Sequence, residues 1–307
     1  MPEACKPELS VVIASYNARG TIAPCLEALC GQQTNREFEI ILVDSSNDGT
    51  AELVAKRFPN VRLIALAERK FCGDARNIGT THAKADVLAF TDADCTVAAD
   101  WVERILQEHE SESLIIGGSV ANDGVCNTVG WAAYFTEFSL WMPNSSASVV
   151  ADVPGANMSY KRKVFEELGS FIEGTYCSDT ELHWRAQERG CRILFVPQIS
   201  VTHSSLNGFC EFLKHEFHHG RSFGLVRCTR FTCAQQIFYA AGFPLIPVVL
   251  FFRIALRNLR NRTYFSKFLK SAPVLLLGVS SWSFGECVAY LVHWRHKMEA
   301  IEDKGKR

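Results

Sequence analysis

The sequence predicts an α/β protein, a mostly parallel sheet flanked by helices and followed by an apolar helical tail. Three observations predict it. Short β-branched runs alternate with helix-period stretches through about the first 120 residues, the pattern of parallel strands joined by right-handed crossovers. The informative polar residues fall just past the ends of those runs, where ligands bind in such sheets. The chain has 307 residues, 48% hydrophobic and 21% charged, and its apolar excess sits in the last third.

Taken in order, residues 9–14 (LSVVIA) form a continuous apolar run, the mark of a strand buried on both faces. A helix carrying Ile22, Leu26 and Leu29 follows, then a strand at 39–43, a helix at 50–58 and a strand at 61–66. The spacing predicts a third helix over 73–85 and a fourth strand over 86–91. Residues 126–150 break the pattern with Trp131, Tyr134, Phe135, Phe138, Trp141 and Met142; this irregular stretch is read either as core packing or as a lid. Regular structure is expected again at 153–160, in helices at 161–168 and 179–189, and in a strand at 192–196.

The tail differs. Residues 237–252 are almost wholly apolar apart from Pro244 and Pro247, and 272–292 carry a single acid, Glu286. A bilayer span needs about 20 apolar residues, so the second segment is long enough and the first is marginal. Between them lie Arg253, Arg257, Arg260, Arg262, Lys267 and Lys270 with no acid. Such a loop belongs on the cytoplasmic side, which favours a helical hairpin along or dipping into the cytoplasmic leaflet, its basic loop on anionic headgroups. Two buried helices of a soluble domain are the alternative.

A net charge of −1 argues against a general nucleic-acid binder. Twelve cysteines are scattered singly with no CxxC, and MPEACKPELS shows no secretory pattern. Reduced thiols, acting as small core hydrophobes in a cytosolic setting, are the expectation.

Chemistry concentrates at the strand ends. The first strand runs into Ala14, Ser15 and Tyr16; the second ends at Asp44, an acid able to bind a ribose or base edge. Neither GxGxxG nor a P-loop is present. The fourth strand ends in Asp92-Ala93-Asp94, whose like charges suit a divalent cation of the Mg²⁺ or Mn²⁺ kind; a solvated turn is the bland alternative. Gly73-Asp74-Ala75-Arg76-Asn77 opens the third helix, placing Arg76 and helix amides to face an anion.

Together LSVVIASYN, EIILVDSSNDGT and GDARNIGTTHAKADVLAFTDAD resemble the family 2 glycosyltransferases, inverting enzymes of the GT-A fold. The resemblance implies nucleotide-sugar contacts from Ala14, Ser15, Tyr16, Asp44, Asp74, Arg76, Asn77 and Asp92, and metal binding by Asp92 and Asp94 of the DxD motif. It continues through residues 155–159, beside the acceptor site, and through Ser178-Asp179-Thr180-Glu181, similar to the family's ED segment with serine in place of glutamate. That register implies Asp179 as the catalytic base, with Glu181 as a fallback; capping the helix 180–189 fits Asp179 equally well. His203 resembles a histidine that closes the donor site, and is either a third metal ligand or structural. A helix with His215, His218, His219 and Arg221 ends the match near residue 225.

The same resemblance implies a Mn²⁺- or Mg²⁺-assisted inverting transfer of a single sugar, since the (Q/R)xxRW motif of processive synthases is missing. The implied donor is a UDP-sugar, with GDP second, and the implied acceptor is lipid-linked or saccharide, as in cell-envelope polysaccharide biosynthesis. The expected organisation is a catalytic part over 1–225, with a nucleotide-sugar half at 1–121 and an acceptor half at 122–225, and a membrane-associated tail over 226–307. Membrane contact is expected over 237–292, at the cytoplasmic face. The rivals are transfer to a polyprenyl phosphate, a non-catalytic nucleotide- or glycan-binding relative, and a nucleotidyltransferase on a related sheet.

Overall fold

The computed structural model describes residues 6–205 and 207–305; Cys5 and the rest of the opening five residues lie outside them. Strands β1 (Leu9–Ser15), β2 (Phe38–Asp44), β3 (Arg62–Ala65) and β4 (Val87–Asp92) alternate with helices α1 (Ile22–Cys30), α2 (Thr50–Arg57) and α3 (Cys72–His82). Next come β5 (Cys95–Val97), α4 (Trp101–His109), β6 (Ile115–Asn122) and α5 (Thr128–Phe138). Then follow β7 (Ser148–Val150), β8 (Asn157–Lys161), α6 (Lys163–Leu168), α7 (Ser178–Glu188) and β9 (Ile193–His203). Helices α8 (Phe209–Cys228), α9 (Cys233–Ala241), α10 (Ile246–Asn261) and α11 (Phe265–Gly305) complete the described chain.

Contacts divide the chain into two compact units, and neither is contiguous. One is Met1–Asp123 with Trp141–Ser204; the other is Gly124–Leu140 with Ser205–Arg307. This differs from the contiguous halves read from the sequence, because α5 belongs with the helices that follow residue 205.

The first unit is built on a nine-stranded sheet of order β3-β2-β1-β4-β8-β6-β9-β5, with β7 pairing to β9. Strands β1 to β4 are mutually parallel, β8 enters antiparallel between β4 and β6, and β6 runs parallel to β9. The apolar run of β1 is explained by its central place: Leu9, Val11, Val12 and Ile13 are fully buried, with β2 and β4 on either side. Asn157 ties the sheet's middle together. Its amide donates to the carbonyls of Ser119 and Ile199, both at 2.9 Å, and accepts from Trp101 Nε1 at 2.9 Å.

The helical unit is held by α8 lying against α11. A Cβ at Gly220 would stand 1.9 Å from the Trp282 carbonyl, and one at Gly285 would stand 2.1 Å from that of Phe217, so glycine is what permits this approach. Arg227 on α8 donates to Glu286 on α11, and Tyr290 donates to the same carboxylate at 2.6 Å. Arg227 also lies over the rings of Phe231 and Tyr239, 4.3 and 4.1 Å from their centroids.

Three expectations are corrected. The stretch expected to be irregular contains the regular helix α5, whose Asn127 side chain caps Val129 and Gly130. Residues 153–160 are extended only from Asn157. Residues 237–252 are not one helix, because α9 and α10 break around Gly242–Leu245 and bend by 77°. Residues 265–295 of α11 are long and apolar enough to cross a bilayer.

Candidate active site

Parallel register brings the sequence motifs to one edge. Ala14 sits beside Asp92, and Ser15 beside Asp44, so three neighbouring strands end in a row of polar groups. Asp44 is 1% exposed; one carboxylate oxygen accepts from Ser46 Oγ at 2.6 Å and the other is buried without a partner. Ser15 Oγ and Thr91 Oγ1 are also buried and unpartnered. Polar atoms left this way cost about 1–3 kcal/mol each. Tyr16 is exposed, and Arg69 stacks over its ring 4.4 Å from the centroid.

Beyond β4 the two DxD carboxylates diverge. Asp92 accepts from Arg76 Nη2 at 2.8 Å. Asp94 turns toward His203 at the end of β9, its Oδ2 3.4 Å from Nε2. One donor atom from each of Asp94, Cys95 and His203 lies within 4.8 Å of the others. Carboxylate oxygen and imidazole nitrogen suit a divalent cation, whereas burial pushes the Cys95 thiol up, away from the thiolate a metal would need. Burial raises the proton affinity of Asp92, with Asp94 adding to the effect and Arg76 opposing it.

Arg76 is the hinge of the arrangement. It is 2% exposed, and the same Nη2 that meets Asp92 donates to the Gly155 carbonyl at 3.0 Å, while Nε has no partner. The sequence left open whether Arg76 faces an anion or holds structure; its guanidinium is committed to Asp92 and Gly155. Asp179 lies alongside. A Cβ at Gly155 would stand 2.5 Å from Asp179 Oδ2 and 3.0 Å from Arg76 Nη2, so only glycine lets the turn leading into β8 lie flush against both.

Asp179 is not the helix cap. Helix α7 starts at Ser178 with Cys177 as its N-cap residue, and the Asp179 carboxylate accepts the N–H of its neighbour Thr180 at 3.0 Å. Desolvation raises its proton affinity, Asp152 adds to that, and Arg76 and His183 oppose it. A carboxylate with raised proton affinity is a better acceptor of a hydroxyl proton. Glu181, the fallback, is instead tied to Arg185 at 2.7 Å within its own helix.

Two of the expected residues serve the loop that follows α6. Asn77 exchanges two hydrogen bonds with the Phe171 backbone, at 2.9 and 3.0 Å, and Asp74 accepts the Gly174 N–H at 2.9 Å. Sequence reasoning missed Cys95, Arg69 and Asp152. Only Cys95 had a usable signal, its place directly after the DxD pair; Arg69 and Asp152 meet their partners through long-range folding.

A sheet of this order, with an acidic row at the ends of its parallel strands and an antiparallel strand inserted beside β4, is the GT-A architecture of nucleotide-sugar-dependent transferases. The chain belongs to glycosyl transferase family 2, whose model matches residues 10–169, more than half its length, and it is a glycosyltransferase. It is 27% identical over 227 residues to glycosyltransferase AglE of Haloferax volcanii, covering 70% of this chain and 72% of that one. It is 24% identical over 229 residues to a glucosyl-dolichyl phosphate glucuronosyltransferase of the same organism, covering 67% and 72%. Among solved structures, mannosyltransferase PcManGT from Pyrobaculum calidifontis, in complex with GDP-Man and Mn²⁺, aligns with TM-score 0.62 at 17% identity, covering 93% of this chain and 87% of that one. S. aureus TarS with UDP-GlcNAc aligns with TM-score 0.54 at 17% identity, covering 91% and 92%. At that identity these two likenesses show the fold.

Proposed function

We propose that the protein moves one sugar from a nucleoside-diphosphate sugar, UDP-linked in the first instance and GDP-linked in the second, to a hydroxyl of a lipid-linked or saccharide acceptor, with inversion. The observation that carries this reading is the buried Arg76 guanidinium, bonded to Asp92 at the strand end and beside Asp179. It joins a row suited to the donor's nucleotide and phosphates to a desolvated carboxylate.

In the step itself, the acceptor oxygen forms a bond to the anomeric carbon while the bond from that carbon to the diphosphate oxygen breaks. Its electron pair leaves with the diphosphate, and the hydroxyl proton passes to Asp179. One in-line displacement turns an α-linked donor into a β-linked product. Asp44, Ser15 and the Ala14 backbone hold the nucleoside; Asp94 and His203, with Asp92 alongside, hold a divalent cation. Such a cation supplies Lewis-acid stabilisation of the charge that develops on the leaving phosphate. The neighbours solved with GDP-Man and Mn²⁺ and with UDP-GlcNAc support a nucleotide-sugar donor.

The relative named for a dolichyl phosphate-linked substrate supports a lipid-linked acceptor. So does the tail: Leu245 at the start of α10 and Val248, Val249, Phe252, Leu256 and Leu259 along it form an exposed stripe at helical spacing, flanked by the exposed Arg253 and Arg260. This is the pattern of a helix lying in an anionic membrane surface, here the cytoplasmic leaflet. The full-length protein is expected to co-float with vesicles containing anionic phospholipid, and a Phe252→Asp, Leu256→Asp variant to stay behind. Equal flotation of both proteins would remove α10 from the membrane.

The deciding experiment is calorimetric binding of UDP, GDP, CDP and ADP, each with Mn²⁺ and with EDTA, followed by transfer assays on Asp179→Asn. Metal-dependent binding of one nucleotide is expected. Asp179→Asn should keep that binding and lose about 10²–10⁴-fold in transfer. Transfer at an undiminished rate would sink the base assignment and favour an acceptor already ionised, such as a polyprenyl phosphate.

A further inference from the structure

Asp179 needs something to hold it in place, and its own helix start does not supply it. The N-cap residue Cys177 makes no side-chain cap bond, and the Asp179 carboxylate reaches only the adjacent N–H. The support comes from Asp152, just before Gly155. One of its carboxylate oxygens accepts from Thr180 Oγ1 at 2.9 Å; the other accepts from His183 Nδ1 and from the Val153 N–H at 2.9 Å. Thr180 and His183 are three residues apart, so both stand on one face of α7 and a single carboxylate grips its first and second turns. A carboxylate only accepts, so His183 Nδ1 donates to it, while Nε2 lies within hydrogen-bond reach of the Tyr160 hydroxyl on β8 at 2.6 Å. Tyr160 and His183 are both fully buried, and their rings stack. Trp141 Nε1 fixes the Asp152 main chain through its carbonyl at 3.1 Å.

We infer that Asp152 is a positioning residue for the transfer reaction: through Thr180 and through the His183–Tyr160 pair it holds the first turn of α7, and with it the Asp179 carboxylate, against Gly155 and Arg76. The inference rests on the reading of Asp179 as the base. It makes the segment 152–155 a two-sided gauge, with Asp152 gripping the helix and Gly155 setting how closely the reacting carboxylate stands. Asp152 also acts through its charge. The groups facing Asp179 are Arg76 from α3, Asp152 itself, His183 from α7, Tyr160 from β8, and the thiols of Cys72 and Cys177. Of the charged ones, Asp152 is the negative neighbour that makes Asp179 hold a proton more tightly.

The test compares Asp152→Asn and Thr180→Val in the full-length protein, with kcat, donor KM and the pH dependence of kcat measured for each. A loosened first turn is expected to lower kcat about 10- to 100-fold in both variants with donor KM unchanged, since small misplacements of reacting groups cost rates of that order. Only Asp152→Asn removes a negative charge beside Asp179, so only it should move the acid limb of the kcat profile to lower pH. A structural role alone would lower both rates and leave that limb in place. Wild-type kcat in both variants, or an unmoved acid limb in Asp152→Asn, overturns the inference. Should Asp152→Asn fail to fold, the ratio of kcat to KM changes in Thr180→Val decides, because that variant leaves the Asp152–His183 pair intact. Failure of the base reading is seen separately, as retained transfer in Asp179→Asn.

Discussion

Buried polarity is treated differently in the two units. At the strand ends of β1, β2 and β4, polar atoms of Ser15, Asp44 and Thr91 are buried and left without partners. At the α8–α11 contact, the Glu286 carboxylate is met by Arg227 and Tyr290, and Arg227 is in turn covered by aromatic rings. In the first pattern polar atoms are left open; in the second each is taken up by a partner within the fold. Glu216 departs from the second pattern, since both of its oxygens lack partners. Burial, and after it the neighbouring Glu137, push its proton affinity well up.

The sharpest way to break that contrast is Arg227→Ala. It leaves Glu286 buried and unpaired, and should cost about 3–5 kcal/mol in denaturant unfolding. The double variant Arg227→Met, Glu286→Gln should recover most of that loss. If the single variant is as stable as wild type, the pair is not what holds α8 to α11.

His109 gives the next effect and shows that pairing decides within the first unit too. Away from the strand ends, it is buried against the Ser113 carbonyl and Ser159 Oγ. Burial pulls its pKa from 6.5 down to about 4. Protonation therefore favours the unfolded chain: the contribution is present above pH 6.5 and is lost as pH falls through about 4. That amounts to about 3 kcal/mol, and the loss should flatten in His109→Gln. A wild-type stability that is level between pH 7 and 4.5 would contradict the buried neutral imidazole.

The smallest stability effect belongs to Asp44→Asn. Because one oxygen is already unpartnered, unfolding free energy should change by no more than about 0.5 kcal/mol, while nucleotide affinity falls measurably by calorimetry. A large loss of stability with unchanged nucleotide binding would reverse the assignment of that row.

How much of this was legible from the sequence depends on the range of the interactions. The runs of β1, β2 and β4 announce themselves because both faces are apolar, and Asp44, Asp92 and Asp94 stand at their ends. Helix α5 was hidden for a related reason. Gly130, Trp131, Ala132, Ala133, Tyr134, Phe135 and Phe138 are buried nearly all round it, which erases the one-sided periodicity that marks a surface helix. Asp152 carried no local signal, since its partners Thr180 and His183 lie 28 and 31 residues away. The division of the DxD pair was equally invisible: Asp92 goes to Arg76 and Asp94 to His203, contacts that only the folded sheet brings about.

The discontinuous chain path sets a schedule for synthesis. The aromatic face of α5 packs on Tyr264 and Phe268, which follow it by more than a hundred residues. At ribosomal rates of about 5–20 residues per second, that face waits on the order of ten seconds for its cover, while the sheet-forming segments around it are already free to assemble. During that interval a nascent chain shows a cluster of tryptophan, tyrosine and phenylalanine to the cell. Truncating the chain between the end of α5 and residue 264 makes the interval permanent, so insolubility of such a fragment reports an uncovered helix as much as a lipid-facing one.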